Sequence, residues 1–517
     1  MIIVGLGGFH NHPACAVLVD GTLVAAVEQS KIARRVQRGS LTQEAIAASL
    51  KLANVQAADV DCVALVRPFD QNLHMSVRSE FSKARVIMVE HHAAHAASAF
   101  YPSPFDDATV LTLDRNGDFR SAARWRASNN QVQLEKELYY PDSLGDLYGR
   151  VTELLGFQAA ADEHKVQWLS ACENSDEYVP LFEEVLGKGE WPAIDRTWFD
   201  GDRLRHGGFS AKFYEHLGLD DGAPIPEEMK APLARGLQRA IESAALRMAG
   251  DGAQLCLAGG LALNTLLVSA LERSRKVFVQ PAAGNDGTAL GAVFFAWHNI
   301  YGKTTRASLN DMCLGPSYDS EEIKEVLENC KLRFRYLLTA GELIDSVVNE
   351  INDQKIVAWM QGRMEFGPRA LGNRSILASP LNPYSTENLN IFIKHREPFR
   401  KFAASVPAEV AGEYFEAGPN ARYLATVGCV RREHRKTFEG AAMDNGMVRV
   451  HTVSREDNPL YHRLLHAAGK ATGLPVLYNT SFNLFGDPLV CTPRDAVRSF
   501  YSSGIDALFV GNFMVEK

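Results

Sequence analysis

The chain has 517 residues, 46% of them hydrophobic, and carries a formal net charge of −8. That length exceeds what one hydrophobic core usually serves, so two or more domains are expected. The net negative charge and the absence of a long basic run argue against a nucleic-acid-coating or membrane-surface role, and no stretch approaches the roughly 20 apolar residues that span a bilayer.

The opening, MIIVGLGGFHNHP, has neither the basic region nor the long apolar region of a signal peptide. Eight cysteines are scattered without a CxxC pair, so neither a cysteine zinc site nor a disulfide framework is indicated. A cytoplasmic protein is expected. IIVGLGG, ACAVLVDG and TLVAAVEQ predict three strands, with Asp20-Gly21 as the hairpin turn between the second and third. LTQEAIAASLKLA then predicts a helix. The order recurs further on: ATVLTLDRNG, SAARWRA and QVQLEKELYY predict three more strands, and SLGDLYGRVTELLGF a helix. A duplicated unit of three antiparallel strands plus helices suggests a two-lobed α/β domain. MKAPLARGLQRAIESAALRMAG, QLCLAGG, ALNTLLVSALE, KVFVQP and GNDGTALGAVFFAWH follow as helix, strand, helix, strand, and a loop opening a helix. The polar, Gly/Pro-punctuated segment 302–320 predicts a domain boundary. Beyond it, helices alternate with strands as in a second α/β domain.

Chemistry-bearing residues group in three places. EHHAAHAASA reads as a helix on which His91 and His95, at i and i+4, lie on one face. Two imidazoles at that spacing can grip one metal ion, and Asp114, at the end of a predicted strand, could supply an oxygen. Asn285 and Asp286 stand in another loop that opens a helix. The Gly-rich loop LAGGLALN, with Gly259, Gly260 and Asn264, follows a strand and opens a helix, an arrangement suited to phosphate. The last third carries Arg363, Arg369 and Arg374, then Lys394, Arg396, Arg400 and Lys401, then Asn479, Thr480, Ser481 and Asn483. Arginine forks match phosphate geometry, and amides and hydroxyls complete such sites. A polyanionic small ligand is expected there.

The segments HHAAHAASAF, SLGDLYGRVTELLGF, GGLALN, GRMEFGPRALGNRSIL, IKHREPFRKFAASV and YNTSFNLFGDPLVCTP resemble the O-carbamoyltransferases of nodulation-factor and antibiotic biosynthesis, over nearly the full length. The resemblance implies an N-terminal domain of the duplicated actin/sugar-kinase (ribonuclease H-like) type over 1–310. A threonylcarbamoyl-AMP synthase-like α/β domain would span 311–517. Carbamoyl phosphate and ATP, with Mg2+, would form carbamoyl adenylate at Arg363, Arg369, Arg374, Lys394, Arg396 and Arg400, completed by Asn479, Ser481 and Asn483. A hydroxyl of a small secondary-metabolite acceptor would then take the carbamoyl group in the N-terminal domain. There the resemblance implies Fe2+ held by His91, His95, Asp114 and Asn285, and nucleotide held by Lys165, Gly259, Gly260 and Asn264.

The sequence departs from the family pattern at several positions. FHNHP puts Asn11 where the family has its histidine base, and either flanking imidazole, His10 or His12, could serve. A usual basic residue falls at Val36, with Arg34 and Arg35 nearby. The family's Asp-Gly is Asp114-Arg115, and its second metal-binding Asp aligns with Asn285, beside Asp286. Gln167 and Trp168 replace a usual Met-Gly pair after Lys165. N-carbamoyl or related acyl-adenylate transfer, or a non-catalytic nucleotide-binding relative, are the alternative readings. Neither the acceptor nor the oligomeric state is set by the sequence.

Overall fold

The computed structural model describes residues 1–35, 41–306, 309, 311–484 and 486–517; Val36 lies outside them. Two compact units emerge: residues 1–89 with 285–517, and residues 90–284.

The first unit begins with β1 (Ile2–Gly7), β2 (Ala14–Val19) and β3 (Thr22–Glu28), then β4 (Cys62–Val66) and β5 (Arg85–Val89). They form one sheet in the order β3-β2-β1-β4-β5, with β1 antiparallel to β2 and parallel to β4. The β2–β3 turn is Asp20-Gly21, with φ of 48° and 86°, the left-handed pair a tight hairpin demands. The second unit repeats the plan. β6 (Asp107–Leu113), β7 (Arg120–Ser128), β8 (Gln131–Tyr139), β9 (Gln254–Ala258) and β10 (Lys276–Val279) form a sheet in the order β10-β9-β6-β7-β8. Its meander lies antiparallel and its last two strands parallel, as in the first sheet. Read from the third strand of each, both sheets run 3-2-1-4-5, the duplicated ribonuclease H-like plan of actin and sugar kinases.

The helix Thr288–Phe295 packs on β1 of the first sheet. The contact is very close: a Cβ on Gly5 would sit 2.2 Å from the Ala289 carbonyl oxygen, and one on Gly7 2.3 Å from Thr288 Oγ1. Gly5 and Gly7 are therefore packing residues, and the chain from 285 onward belongs to the first unit.

The rest of that unit is a larger sheet. Its strands are β11 (Arg335–Tyr336), β12 (Val357–Met360), β13 (Arg374–Ala378), β14 (Ala403–Pro407), β15 (Phe415–Glu416), β16 (Val427–Val430), β17 (Met447–Val453), β18 (Leu477–Ser481), β19 (Ala507–Val510) and β20 (Phe513–Glu516). Among the described residues they order as β11-β20-β19-β12-β13-β18-β14-β17-β16-β15. Alternation splits its core in two. Val357, Trp359, Ala507 and Phe509 join the helices Ala340–Asn352 and Pro459–Thr472, whereas Ala358, Met360, Leu508 and Val510 join Ser320–Asn329 and Pro493–Tyr501.

Buried polar contacts tie this sheet's loops to the first. Glu28 Oε1 accepts from Gly367 N at 2.8 Å and pairs with Lys31 Nζ at 2.7 Å. Lys31 also donates to the carbonyls of Glu365 and Gly367, and Arg34 to those of Pro488 and Leu489. Burial, opposed by Lys31, pushes the Glu28 carboxyl up to about 7. Among the described residues, no helix is long and apolar enough to cross a membrane.

Candidate functional site

In the second unit the helix His91–Phe100 starts because Glu90 caps it, its carboxylate accepting from His92 N and Ala93 N at 3.0 and 2.8 Å. Small residues on the helix let it pack against β6 and β9, which brings His91 and His95 to the end of β6, where Asp114 follows. His91 Nε2 lies 2.8 Å from Asp114 Oδ2, His95 Nε2 lies 3.1 Å from His91 Nε2, and His95 Nε2 lies 3.6 Å from Asp114 Oδ2. Ligands sharing one ion at about 2.1 Å stand roughly 3 Å apart, so the three atoms match the edges of a coordination sphere with little movement. A Cβ on Gly117 would lie 2.3 Å from His91 Cδ2 and 3.1 Å from Asp114 Oδ2, so only glycine leaves room for this convergence. The donor set therefore fits a divalent metal ion.

The electrostatics agree. Burial opposes ionisation of Asp114, but hydrogen bonds from His91 and His95 hold its carboxyl well below the usual range. Burial lowers His95, leaving its imidazole neutral and able to ligate. The third histidine has another task. His92 Nδ1 meets Thr112 Oγ1 at 2.8 Å and Nε2 donates to the Arg120 carbonyl at 2.8 Å, so both ring nitrogens are committed to the scaffold.

Arg115 does not crowd the site. Its guanidinium turns to Asp146, Nε to Oδ1 at 3.0 Å, and lies beside Gly149, while Gly145 packs closely on the backbone of Asp114 and Arg115. Gly259, at φ 97°, passes so close to β6 that a Cβ would meet the Leu113 carbonyl oxygen at 2.1 Å; a Cβ on Gly260 would sit 3.2 Å from Asp114 Oδ1. The Gly-Gly loop thus borders the same carboxylate. Asn264 caps the helix Thr265–Glu272 and donates to Gln238 Oε1 at 2.8 Å. Lys165 pairs with Asp162 at 3.2 Å, and Gln167 donates to Thr265 Oγ1 at 2.6 Å.

In the first unit, His10 and His12 are exposed on the loop after β1. Between them, Asn11 Oδ1 accepts from Asn285 Nδ2 at 2.8 Å, while Asn285 Oδ1 is buried with no hydrogen-bond partner. Asp286 is buried one residue on.

The cations of the last third separate into two groups. Arg374 is fully buried and donates to the carbonyls of Gln361, Gly362, Asn373 and Pro316. Arg363 donates to those of Leu314, Gly315 and Val24. Both guanidiniums are spent on backbone carbonyls: Arg374 on both ends of the loop 362–373, and Arg363 on the segment 314–315 and on β3, which tethers that loop. Arg369, Arg396 and Arg400 instead gather around Arg449, with Lys394 beside Arg396 and Arg400; the sequence reading missed Arg449 because it sits in an ordinary strand, β17. Burial, reinforced by Arg369, Arg396 and Arg400, holds Arg449 well below its usual range. Burial with Arg396 and Arg400 does the same to Lys394; burial brings Arg369 down to about 10, and burial with Arg400 brings Arg396 to about 9. Arg396 Nη2 has no hydrogen-bond partner, and Lys394 Nζ bonds the Ser481 carbonyl and Asn483 Oδ1 at 2.6 and 2.8 Å. Ser481 Oγ donates to the same Oδ1 at 2.7 Å. Asn479 donates to the Ala370 carbonyl at 3.2 Å, and its Oδ1 is buried without a partner. Glu397 Oε2, 3.6 Å from Arg400 Nη1, offsets part of this charge; the remaining like charges under desolvation are costly unless a further anion joins them.

The chain thus carries a duplicated ribonuclease H-like α/β framework with a histidine–aspartate constellation, and an α/β region with a cationic cluster. Residues 72–294 match the family described as carbamoyltransferase N-terminus, and residues 348–517 the carbamoyltransferase C-terminus. An uncharacterized protein of Synechocystis sp. is 30% identical over 100% of this chain and 96% of its own length. Nodulation protein NolNO of Sinorhizobium fredii is 33% identical over 98% of this chain and 79% of its own. A 3'-hydroxymethylcephem-O-carbamoyltransferase of Amycolatopsis lactamdurans is 31% identical over 51% of this chain and 48% of its own. The chain belongs to the carbamoyltransferase family and is a carbamoyltransferase.

Proposed function

We propose that this carbamoyltransferase moves the carbamoyl group of carbamoyl phosphate to a hydroxyl of a small secondary-metabolite acceptor in the cytoplasm, by way of carbamoyl adenylate: water releases phosphate from carbamoyl phosphate, and the freed carbamate oxygen attacks the α-phosphorus of ATP, carried with Mg2+, and expels pyrophosphate. The observation that carries this reading is the gathering of Lys394, Arg396, Arg400, Arg369 and Arg449, whose mutual repulsion a polyphosphate and an acyl phosphate would relieve. Adenylate formation is assigned to 311–517 and carbamoyl transfer to 1–310. At the cationic cluster, Arg369, Arg396 and Arg449 neutralise phosphate charge, with Asn479, Ser481 and Asn483 offering polar groups beside them. Arg363 and Arg374 hold the loop that carries Arg369.

In the second half-reaction the acceptor oxygen attacks the carbamoyl carbon, and AMP leaves with the bonding electrons. AMP is a far better leaving group than the oxygen of an unactivated carbamate. One of the two exposed imidazoles, His10 or His12, is assigned to take the hydroxyl proton. His91, His95 and Asp114 would hold a divalent ion, Fe2+ by family resemblance, which when bound supplies Lewis-acid stabilisation of the charge developing on oxygen. The loop with Gly259 and Gly260 is assigned to hold the nucleotide, because glycines leave the backbone N–H groups open to a phosphate. The hydroxyl acceptor is supported by the relative whose name states O-carbamoylation of a hydroxymethyl group.

Purified protein should release AMP from ATP only when carbamoyl phosphate is present, followed by AMP chromatography. Absence of ATP cleavage with that donor, across Mg2+, Fe2+ and Zn2+ conditions, overturns the reading.

A further inference from the structure

Outside the sites described so far, a second cluster of metal-ligating side chains stands in the first unit. The helix Pro459–Thr472, capped by Asn458, buries Tyr461, Leu464, Leu465 and Ala468. His462 and His466, at i and i+4, stand together beside that apolar stripe, with ring centroids 4.6 Å apart. Glu409 comes from a different element, the short turn Ala408–Val410 that follows β14. Its Oε1 receives both imidazoles: His462 Nε2 at 2.8 Å and His466 Nε2 at 2.6 Å.

We infer that Glu409, His462 and His466 form a binding site for a borderline transition-metal ion of the Zn2+ class, distinct from the His91–His95–Asp114 constellation. Both Nε2 atoms aim at one oxygen from one helix face, and all three candidate ligand atoms lie within 4.8 Å of one another. Two imidazoles and one carboxylate are a recurrent zinc donor set, and a water can fill the fourth position. His466 and Glu409 are half exposed and His462 is largely buried, with side-chain exposures of 45%, 50% and 12%. The ion thus has an entry side, and the exposed pair can spread by the few tenths of an ångström that coordination needs. Imidazole ligation selects Zn2+, Ni2+ or Cu2+ over Mg2+ and Ca2+.

The place in the fold sets the role. Arg449 pairs with Ala403 at the start of β14, whereas Glu409 follows Pro407 at its end. About 13 Å of strand separates the two ends. An ion here cross-links the helix Pro459–Thr472 to the far end of β14, bracing the sheet that carries the cationic cluster without touching the reaction.

The test uses full-length protein stripped of metal and titrated calorimetrically with Zn2+, with Mg2+ as the control. His466→Gln and Glu409→Gln should each remove one tight Zn2+ equivalent, or weaken it by more than the roughly 10–100-fold that loss of an outer-shell partner costs. His95→Gln should leave that equivalent in place, and Mg2+ should not compete for it. Zn2+ should also raise the Tm of the His95→Gln protein, but not that of the His95→Gln/His466→Gln protein. Wild-type zinc stoichiometry and affinity in both His466→Gln and Glu409→Gln overturns the inference.

Discussion

Gly117→Ala isolates the steric requirement of the His91–His95–Asp114 convergence. The added methyl carbon would stand 2.3 Å from His91 Cδ2, 2.6 Å from His91 Nε2 and 3.1 Å from Asp114 Oδ2. Carbon atoms rest at about 3.5–4.0 Å, so the ring or its loop must give by more than about 1 Å. Metal–ligand distances are held to within about 0.2 Å, several times less. The backbone of Gly117 is not in the left-handed region, so crowding is the whole effect. Overpacking should lower stability by about 1–3 kcal/mol. The larger consequence falls on metal: the Zn2+ equivalent that His95→Gln removes should be lost in Gly117→Ala as well, with the far-UV spectrum retained. Gly201→Ala, where nothing lies within 4 Å of the new carbon, is the matched control and should bind as wild type. Calorimetric titration under anaerobic conditions, with Zn2+ and then Fe2+, measures both. Wild-type affinity in Gly117→Ala would refute the claim that these three ligand atoms share one ion.

Arg449→Met should abolish carbamoyl phosphate-dependent AMP release while leaving the Tm within a few degrees of wild type; full activity would remove Arg449 from the anion site. Arg374→Met should instead lower stability by at least about 3 kcal/mol in urea titration, because several buried carbonyls lose their donor at about 1–3 kcal/mol each. Unchanged stability would show that those carbonyls find other donors. His92→Asn should keep the metal equivalent that His95→Gln loses, yet melt at lower temperature, since both His92 nitrogens are bonded to the scaffold. For pH, His451 is buried beside Ser405 and Tyr461, and burial brings its imidazole down to about 3. Its folded value lies below its unfolded one, so its contribution is intact above about pH 6.5 and is lost as pH falls toward 3, by at most about 1.4 kcal/mol per pH unit. His451→Asn should flatten that acid limb in denaturant titrations from pH 7 to 4; an unchanged slope would contradict the assignment.

Local patterns made much of the fold legible in the chain itself. Asp20-Gly21 announced a hairpin because a left-handed pair favours those residues, and β-branched runs marked β1, β2, β3 and β6 because alternating pleats favour them. The i, i+4 spacing of His91 and His95 is a property of any helix, so it could be read without a partner. The cation-rich segments 363–374 and 394–401 were equally plain as composition.

What a sequence pattern cannot carry is who stands opposite. His92 is indistinguishable from its neighbours until Thr112 and the Arg120 carbonyl occupy both its nitrogens. Arg363, Arg369 and Arg374 look alike in GRMEFGPRALGNRS, yet backbone carbonyls absorb the first and last while burial among like charges marks Arg369. Arg449 gave no local signal, because it joins Arg369, Arg396 and Arg400 only through the parallel pairing of β14 with β17. Short-range backbone preferences and periodicity are written into consecutive residues, whereas desolvation and charge proximity depend on atoms far apart in the chain, and only tertiary packing decides those.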